Sequence, residues 1–152
     1  MAKRRSPRYY RLIGAIGTNR VVTRLHPRVH RASRGRLFGR VLGVSNVVLE
    51  TTGARSGLAR PVPLFAMEDG EALIVVASNA GKPGEPAWAA NLRIHPTLPV
   101  RHGRRVRTMH ARELDGDERE RAWAIAAHAY PGYDDYATWT SRHIAVFVLE
   151  PA

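Results

Sequence analysis

The sequence predicts a single mainly β domain with appended helices, an α+β class built on a small closed sheet. From Val44 onward, five to six short apolar stretches are separated by turn residues. Only three segments have helical spacing, so the sheet dominates the predicted fold. The length of 152 residues suits one domain with a substantial core.

Composition narrows the class of protein further. Apolar residues make up 44% and charged residues 24% of the chain, as expected for a soluble globular protein. The longest apolar runs, such as residues 73–77, are too short to cross a bilayer. Because the chain contains no cysteine, disulfides, thiolate metal sites and cysteine nucleophiles are excluded. With no signal-peptide pattern at the start, we expect a cytoplasmic protein.

The first 43 residues predict a basic amphipathic helix followed by a basic connector. Residues 1–40 hold twelve Lys or Arg and no carboxylate, which favours an anionic partner. Residues 8–25 have helical spacing, and residues 26–40 form the connector. One stripe of this helix is apolar, and we expect it to carry Tyr9, Leu12, Ile13 and Ile16. Two interpretations stay open: peripheral contact with the anionic inner face of the cell membrane, or packing on the protein's own domain.

The strands are predicted from hydrophobic runs bounded by turn signals. The EDG sequence at residues 68–70 indicates a hairpin turn, and HGRR at residues 102–105 joins a later pair of strands. The predicted strands cover residues 47–52, 62–67 and 72–78, a stretch around Val100, and residues 106–113 and 143–150.

Two further helices are predicted between these strands. Pro86 suits the first turn of a short helix that runs through Trp88 and Leu92, after a Gly/Pro loop at residues 79–85. Residues 114–130, LDGDERERAWAIAAHAY, place acids early and a broad apolar face later, which predicts a helix of about 12 residues. We expect no metal site, because the seven histidines form no ligand pattern with nearby carboxylates.

The stretch LETTGARSGLARPVPL, residues 49–64, predicts a turn with the parts of a phosphate site. Gly53 and Gly57 allow the backbone amides to converge, Ser56 offers a hydroxyl, and Arg55 and Arg60 supply charged donors. The stretch is neither a Walker loop nor a Rossmann fingerprint. Taken alone, the stretch is a weak signal that favours a plain hairpin with a solvated arginine.

Three motifs in order give this turn its context. They are LETTGARSGLARPVPL at residues 49–64, VVASNAGKPGEPAWAANLRIHP at 75–96 and AYPGYDDYATWTSR at 129–142. The series resembles the deazaflavin-dependent nitroreductase family, whose members are split β-barrel proteins with an FMN-binding-like fold and use the reduced deazaflavin coenzyme F-420. The resemblance covers roughly residues 44–151, and it implies a deazaflavin-binding barrel over residues 44–152.

The resemblance implies a role for particular residues around the coenzyme and its acceptor. It assigns the coenzyme's phosphate and acidic tail to Arg55, Ser56 and Arg60, and its ring to Pro61, Val62, Pro63, Val76, Ala77, Ser78, Asn79, Ala87, Trp88 and Asn91. It assigns the substrate pocket to Phe65, Tyr130, Tyr133 and Tyr136, where phenylalanine replaces the tyrosine common at position 65. Ser78 and Tyr133 are the candidate catalytic residues, because each could donate a hydrogen bond or proton.

The implied reaction is hydride transfer from carbon 5 of the reduced deazaflavin to a quinone, an enone or a nitroaromatic acceptor. Three alternatives stay open. FMN could replace the deazaflavin, since both ligands have a tricyclic ring and a phosphate. The same barrel could be a non-catalytic binding module for a lipid, a fatty acid or the coenzyme. Nucleic-acid binding through the basic amino-terminal region is a further possibility, but Tyr9 and Tyr10 are too few to form a stacking platform.

Overall fold

The structure is a computed structural model that describes residues 4–17, 40–41 and 43–152. The described residues form helices α1 (Pro7–Gly17), α2 (Ala87–Ile94), α3 (Gly116–Ala129) and α4 (Gly132–Trp139). The strands are β1 (Arg40–Val41), β2 (Val44–Thr52), β3 (Ala59–Asp69), β4 (Ala72–Val76), β5 (Thr97–His102), β6 (Arg105–Glu113) and β7 (Val146–Pro151).

The sheet closes into a barrel in which every described pairing is antiparallel. The strand order is β1-β2-β3-β4-β7-β6-β5, and β5 pairs back with β2 through Val47–Leu49 and Val100–His102. This arrangement confirms the predicted mainly β class with appended helices. No helix among the described residues has the length and apolar character needed to span a membrane.

Strand β3 has one edge that is only partly paired. It pairs with β2 from Ala59 to Ala66, but with β4 only from Met67 to Asp69. Pro61 and Pro63 lie opposite Glu50 and Val48 in the continuous ladder with β2. Because proline has no N–H to donate, each nitrogen must face the other edge of β3, which is where prolines are tolerated in sheets.

Two apolar clusters lie on opposite sides of the barrel wall, because strand side chains alternate between the two faces. The first fills the barrel and includes Val47, Leu49, Val75, Val100 and Phe147, with Trp88, Ala89 and Leu92 from α2. The second packs the outside of the wall against α1, α3 and α4, and it includes Tyr10, Ile74, Ala126, Tyr130, Tyr133 and Tyr136. Helix α2 therefore belongs to the barrel core, whereas α1 and α4 cover its outer face.

The structure corrects the predicted apolar stripe of the first helix. Leu12 is 60% exposed and Ile16 is 49% exposed, whereas Tyr10 is only 2% exposed. The reason is a close approach at Gly14, where a Cβ atom would lie 2.5 Å from the Cβ of Ala80. The face of α1 that contacts the domain therefore centres on Tyr10 and Gly14. The rest of the predicted helix, residues 18–25, and nearly all of the connector lie outside the described residues.

The last part of the chain contains a helix that the sequence did not predict. After the helix predicted within residues 114–130, the chain breaks briefly at Tyr130 and Pro131, and α4 begins at Gly132. Tyr133 and Tyr136 share one face of α4, because residues three apart in a helix are neighbours. Strand β4 also ends at Val76, earlier than the predicted Ser78, and β7 begins at Val146, later than the predicted His143.

Candidate functional site

The turn between β2 and β3, residues 53–58, is closed by its own backbone. The Gly53 N–H donates to the Leu58 carbonyl and the Gly57 N–H donates to the Gly53 carbonyl, both at 2.8 Å. Gly57 has φ +65°, which glycine adopts without steric cost. These two glycine amides therefore hold the turn together and are not themselves available to an anion.

Asn91 of α2 supports this turn from below. Its Oδ1 accepts from the Ala54 N–H at 2.9 Å, and its Nδ2 donates to Thr51 Oγ1 at 3.0 Å. The Thr51 hydroxyl in turn donates to the Arg60 carbonyl at 2.7 Å. The Asn91 residue is only 7% exposed, and both of its side-chain polar atoms are engaged within the protein. This chain of hydrogen bonds joins α2, β2, the turn and β3, and it makes Asn91 a residue that positions the turn.

The charged side chains of the turn face solvent. Arg55, Ser56 and Arg60 are all exposed. No carboxylate of the described residues forms an ion pair with Arg55 or Arg60, and Arg60 makes only a long 3.4 Å hydrogen bond to the Ala59 carbonyl. Unpaired guanidinium groups of this kind bind phosphate and carboxylate groups through charged hydrogen bonds.

The strand-end loop, residues 77–82, has an unusual backbone. Asn79 and Ala80 have φ values of 45° and 53°, in the left-handed region. That conformation costs an L-residue about 1–2 kcal/mol, although asparagine adopts it more readily than alanine does. The Gly81 N–H donates to the Ser78 carbonyl at 2.9 Å, and Asn79 Nδ2 donates to the Gly84 carbonyl at 2.8 Å. The loop therefore keeps a strained conformation that its surroundings must hold.

Arg142 holds this loop from the segment between α4 and β7. Its Nη2 donates to the Ser78 carbonyl at 2.8 Å, its Nη1 to the Ala77 carbonyl at 3.1 Å and its Nε to the Lys82 carbonyl at 3.3 Å. Burial lowers the pKa of Arg142, and the nearby Glu85 opposes that shift. A guanidinium stays charged at neutral pH in proteins. The sequence reasoning missed Arg142, although it is the last residue of the third motif.

A second arginine holds the other end of the segment that joins the strand-end loop to α2. Arg93 of α2 donates two hydrogen bonds of 2.8 Å to Glu85 and one of 2.6 Å to Glu113 of β6. The hydrogen bonds from Arg93 lower the pKa of Glu85. Since residues 83–86 lead directly from the strand-end loop into α2, Arg93 and Arg142 fix both ends of this connection.

The four predicted substrate-pocket residues lie together. Phe65 packs on Tyr130 with ring centroids 5.2 Å apart, and Tyr130 packs on Tyr133 at the same distance. Tyr136 lies 6.3 Å from Tyr133, and Tyr10 of α1 joins the group 5.3 Å from Tyr130. The structure therefore brings the predicted set into one aromatic cluster and adds Tyr10, which the sequence did not assign to it.

The hydroxyl groups of this cluster form a short chain. The Tyr136 hydroxyl donates to the Tyr10 carbonyl at 3.1 Å, so the 2.9 Å bond between Tyr130 and Tyr136 has Tyr130 as its donor. Burial raises the pKa values of Tyr130, Tyr133 and Tyr136 above the ordinary tyrosine value. All three phenols therefore stay protonated at physiological pH and can act as hydrogen-bond donors.

Some of the predicted ring-binding residues are buried, and others are accessible to solvent. Trp88 is 6% exposed and packs 5.7 Å from the Phe147 ring in the barrel core, and Val76, Ala77 and Ser78 are also buried. Pro61 and Ala87 are exposed, while Val62, Pro63, Phe65 and Asn79 are partly buried. The accessible part of the predicted set therefore lies along β3 and the strand-end loop. Among the described residues, no group of His, Asp or Glu is arranged to hold a metal ion.

These features fit an elongated anionic ligand with a flat ring. Strand β3 carries Arg60 near its start and Phe65 five residues later, a span of roughly 16 Å in extended backbone. Arg55 and Arg60 offer unpaired positive charge at one end, and Phe65 lies beside protonated tyrosines at the other. A deazaflavin coenzyme with a phosphodiester and an acidic tail has this distribution of charge and ring.

Comparison with known proteins agrees with this chemistry. The family described as F420H(2)-dependent quinone reductase, where F420H(2) is the reduced form of the same coenzyme, matches residues 22–151. An F420H(2)-dependent quinone reductase of Mycobacterium tuberculosis is 32% identical over 130 residues, which are 83% of this chain and 87% of the relative.

Two solved structures are also similar. One, an F420-H2 dependent reductase (FDR-A), is 44% identical with a TM-score of 0.64, and the match covers 69% of this chain and 93% of that one. Another, described as a domain-swapped dimer, is 39% identical with a TM-score of 0.66, and the match covers 83% of this chain and 96% of that one. The chain therefore belongs to the F420H(2)-dependent quinone reductase family, and it is an oxidoreductase whose cofactor is the reduced deazaflavin coenzyme.

Proposed function

We propose that the protein reduces a quinone, an enone or a nitroaromatic compound with a hydride from carbon 5 of the reduced deazaflavin. One observation carries the proposal: β3 joins the unpaired Arg60 at one end to Phe65 and the tyrosine cluster at the other. The side chains of Arg60 and Phe65 lie on opposite faces of β3, so a ligand would reach both from the partly paired edge of the strand, with the cationic group near one end and the aromatic cluster near the other. Residues 44–152 form the coenzyme-binding domain in this proposal, and residues 1–43 are a basic extension.

The binding roles follow from exposure and charge. Arg55, Ser56 and Arg60 bind the phosphate and the acidic tail, since their side chains are exposed while the turn below them is already hydrogen-bonded. The ring lies between β3 and the strand-end loop, near Pro61, Val62, Pro63 and Asn79. Trp88 and Asn91 support this arrangement from the core, together with Val76 and Ala77, and the exposed Ala87 begins α2 next to Trp88. When bound, the coenzyme supplies the hydride, and the protein fixes the distance and the face of attack.

Tyr133 and Ser78 are the candidate donors to the acceptor. A developing negative charge on the acceptor is stabilised by hydrogen bonds that are already in place. Burial raises the pKa of Tyr133, so this phenol serves as a hydrogen-bond donor more readily than as an acid. The Tyr133 hydroxyl also makes no hydrogen bond within the described residues, unlike the hydroxyl groups of Tyr130 and Tyr136.

An activity assay tests the proposal directly. Purified protein is mixed with the reduced coenzyme and menadione, an enone or a nitroaromatic compound, and the loss of the reduced deazaflavin signal is followed. Turnover that depends on the protein supports the proposal. Binding of the coenzyme without turnover of any acceptor supports the binding-module alternative instead. A parallel titration with FMN separates the two cofactors, because the family assignment requires tighter binding of the deazaflavin.

We also propose that α1 contacts an anionic membrane surface, where a lipophilic quinone would be available. Leu12 and Ile16 are large apolar side chains exposed on α1, and Arg8 and Arg11 are exposed on the same helix. The full chain should sediment with vesicles that contain phosphatidylserine and not with phosphatidylcholine vesicles. The double variant Leu12→Ser, Ile16→Ser should lose most of this binding. Equal sedimentation of the variant and the wild type would exclude α1 as the contact.

A further inference from the structure

The strand-end loop has a strained backbone conformation that its own residues do not favour. Ser78 has right-handed helical angles, with φ −70° and ψ −30°, and the next two residues have positive φ values of 45° and 53°. Ala80 is the costly member of this pair, because its Cβ disfavours the left-handed region. Something outside the loop must therefore select this backbone conformation over more relaxed alternatives.

Arg142 is placed to make that selection. It lies 60 to 65 positions later in the chain than the residues it contacts, and it uses three donor atoms on the main-chain carbonyls of Ala77, Ser78 and Lys82. Each of these bonds fixes the plane of one peptide unit. A single side chain thus sets the orientation of three carbonyl groups around the strained residues.

The orientation of the carbonyls also fixes where the amides point. In a trans peptide the N–H is directed opposite to the C=O of the same unit. With the Ala77 and Ser78 carbonyls turned toward Arg142, the N–H groups of Ser78 and Asn79 point to the opposite side of the loop. None of the backbone hydrogen bonds of the described loops uses either of these two N–H groups.

We propose that Arg142 is a positioning residue for coenzyme binding: it locks the strand-end loop in the one backbone arrangement that faces the deazaflavin. The inference rests on the proposed function, which puts this loop beside the ring. Without Arg142, three carbonyls lose the guanidinium, and the Ser78 carbonyl keeps only the Gly81 N–H from within the loop. Rotation of the peptide between Ser78 and Asn79 then relieves the positive φ of Asn79. The loop then samples arrangements in which its amides no longer face the ligand.

The remaining contacts of the loop explain why Arg142 is decisive. Gly81 lies against Trp139 and Tyr136 of α4, and Ala80 lies against Gly14 of α1. These are steric contacts that keep the loop in place. They do not discriminate between the two orientations of the peptide planes at Ala77 and Ser78. The Gly81 N–H donates to the Ser78 carbonyl from within the loop, but among the described residues only the guanidinium donates to the Ala77 and Ser78 carbonyls from another part of the fold.

The test compares coenzyme affinity in a set of matched variants. Arg142→Met removes all three donors, and Arg142→Lys keeps the charge but not the planar fork. Arg121→Met is the control, because Arg121 of α3 is an exposed arginine that pairs with Asp69 at the end of β3 and makes no contact with the strand-end loop in these hydrogen bonds. The dissociation constant of the oxidised coenzyme is measured by its fluorescence, well below the unfolding temperature of each variant.

Arg142→Met should weaken coenzyme binding roughly tenfold or more, the scale of lost hydrogen bonds to a charged group. Arg142→Lys should fall between it and the wild type, and Arg121→Met should bind as the wild type does. A second change, Ala80→Gly, should recover part of the affinity in the Arg142→Met background, because glycine adopts the left-handed region freely. Wild-type affinity in Arg142→Met, or no recovery in the double variant, overturns the inference.

Hydrogen exchange on the coenzyme-free protein separates this inference from the proposed function. The amides of residues 78–82 should exchange faster in Arg142→Met than in Arg121→Met. Should the wild type fail to bind the coenzyme, the proposed function fails, and the exchange rates still decide whether Arg142 fixes the loop. Equal exchange in the two variants overturns the inference whatever the outcome of the binding titration.

Discussion

The turn at residues 53–58 and the loop at residues 77–82 are each held by one polar side chain, but with opposite chemistry. Below the turn, the neutral amide of Asn91 accepts from a backbone N–H. Behind the loop, the charged Arg142 donates to backbone carbonyls. The turn places glycine at its positive φ position, whereas the loop places Asn79 and Ala80 there.

This difference indicates that the two regions would contribute to ligand binding in different ways, one through side chains and the other through the main chain. The turn has a relaxed and hydrogen-bonded backbone, so in the proposed function its ligand is bound by the exposed side chains of Arg55, Ser56 and Arg60. The loop has a strained backbone with buried neighbours, so its contribution depends on main-chain orientation. Changes to the loop should therefore affect stability strongly, and changes to the exposed side chains of the turn should affect mainly affinity.

Gly81→Ala should cause the largest loss of stability. Gly81 has φ +73°, and an added Cβ would lie 3.1 Å from both the Trp139 ring and the Tyr136 carbonyl oxygen. Backbone strain and overpacking together predict a loss of about 3 kcal/mol in the free energy of unfolding, measured with urea. Gly57→Ala in the turn is the matched control, with φ +65° and no atom within 4 Å. It should lose only about 1 kcal/mol. Similar losses in the two variants would contradict the expected difference in stability between the loop and the turn.

Asn91→Leu should come next. The change keeps the number of side-chain heavy atoms but leaves the Ala54 N–H without its acceptor and the Thr51 oxygen without its donor, which should cost about 2 kcal/mol in urea unfolding. Thr51→Val removes the neighbouring link in the same chain of hydrogen bonds. The two losses should be less than additive in the double variant, since the residues share one hydrogen bond. Strictly additive losses would show that these hydrogen bonds do not act as a unit.

Glu85→Gln should have a smaller effect that depends on pH. The hydrogen bonds from Arg93 lower the pKa of Glu85 from its ordinary value of 4.5. The stabilisation is therefore complete above that value and is lost as the pH falls through the lower pKa of the folded state. At neutral pH the variant should lose about 1 kcal/mol, as expected for a partly exposed ion pair.

The difference between Glu85→Gln and the wild type should disappear in acid. Glu71→Gln is the control, because Glu71 is 85% exposed and lies 3.8 Å from Arg107. It should leave the pH dependence of the urea midpoint unchanged. A difference between Glu85→Gln and the wild type that persists well below the pKa of Glu85 would contradict the assignment to this ion pair.

Arg55→Gln should have the smallest effect on stability, within about 0.5 kcal/mol, because the side chain is exposed and makes no ion pair among the described residues. Its effect should appear in coenzyme binding, which should weaken and become less sensitive to salt. Arg104→Gln in the hairpin between β5 and β6 is an exposed control that should change neither property. Unchanged affinity in Arg55→Gln would remove this arginine from the candidate site.

The strands could be predicted because strands that are buried on both faces, such as β4 and β7, appear in the sequence as continuous apolar runs between turn signals. Val47 and Leu49 face the barrel interior, and the turn signals around them mark the ends of β2. Strand β3 begins at Ala59, earlier than the predicted Val62, because Pro61 and Pro63 interrupt the apolar pattern without interrupting the ladder. Helix α4 was missed because Pro131 and Gly132 are typical of turns.

The limits of the sequence are clearer at the candidate site. The family resemblance assigned Tyr130, Tyr133 and Tyr136 to one pocket, but Tyr10 joins them because Gly14 lets α1 approach the loop. Hydrophobic spacing cannot identify a glycine as a contact residue. Nor can it distinguish Arg142 from any solvated arginine, since its role depends on carbonyl groups that a distant strand end brings within reach.

The two prolines of β3 have a consequence for self-association. Along residues 61–63 the partly paired margin of the barrel offers carbonyl oxygens but lacks amide hydrogens at both proline positions. A strand from another chain would meet carbonyl acceptors but no N–H donors at these positions, so it could not form a continuous β ladder with this edge. The sequence thereby protects the border of the candidate site from the edge-to-edge polymerisation to which open sheets are prone.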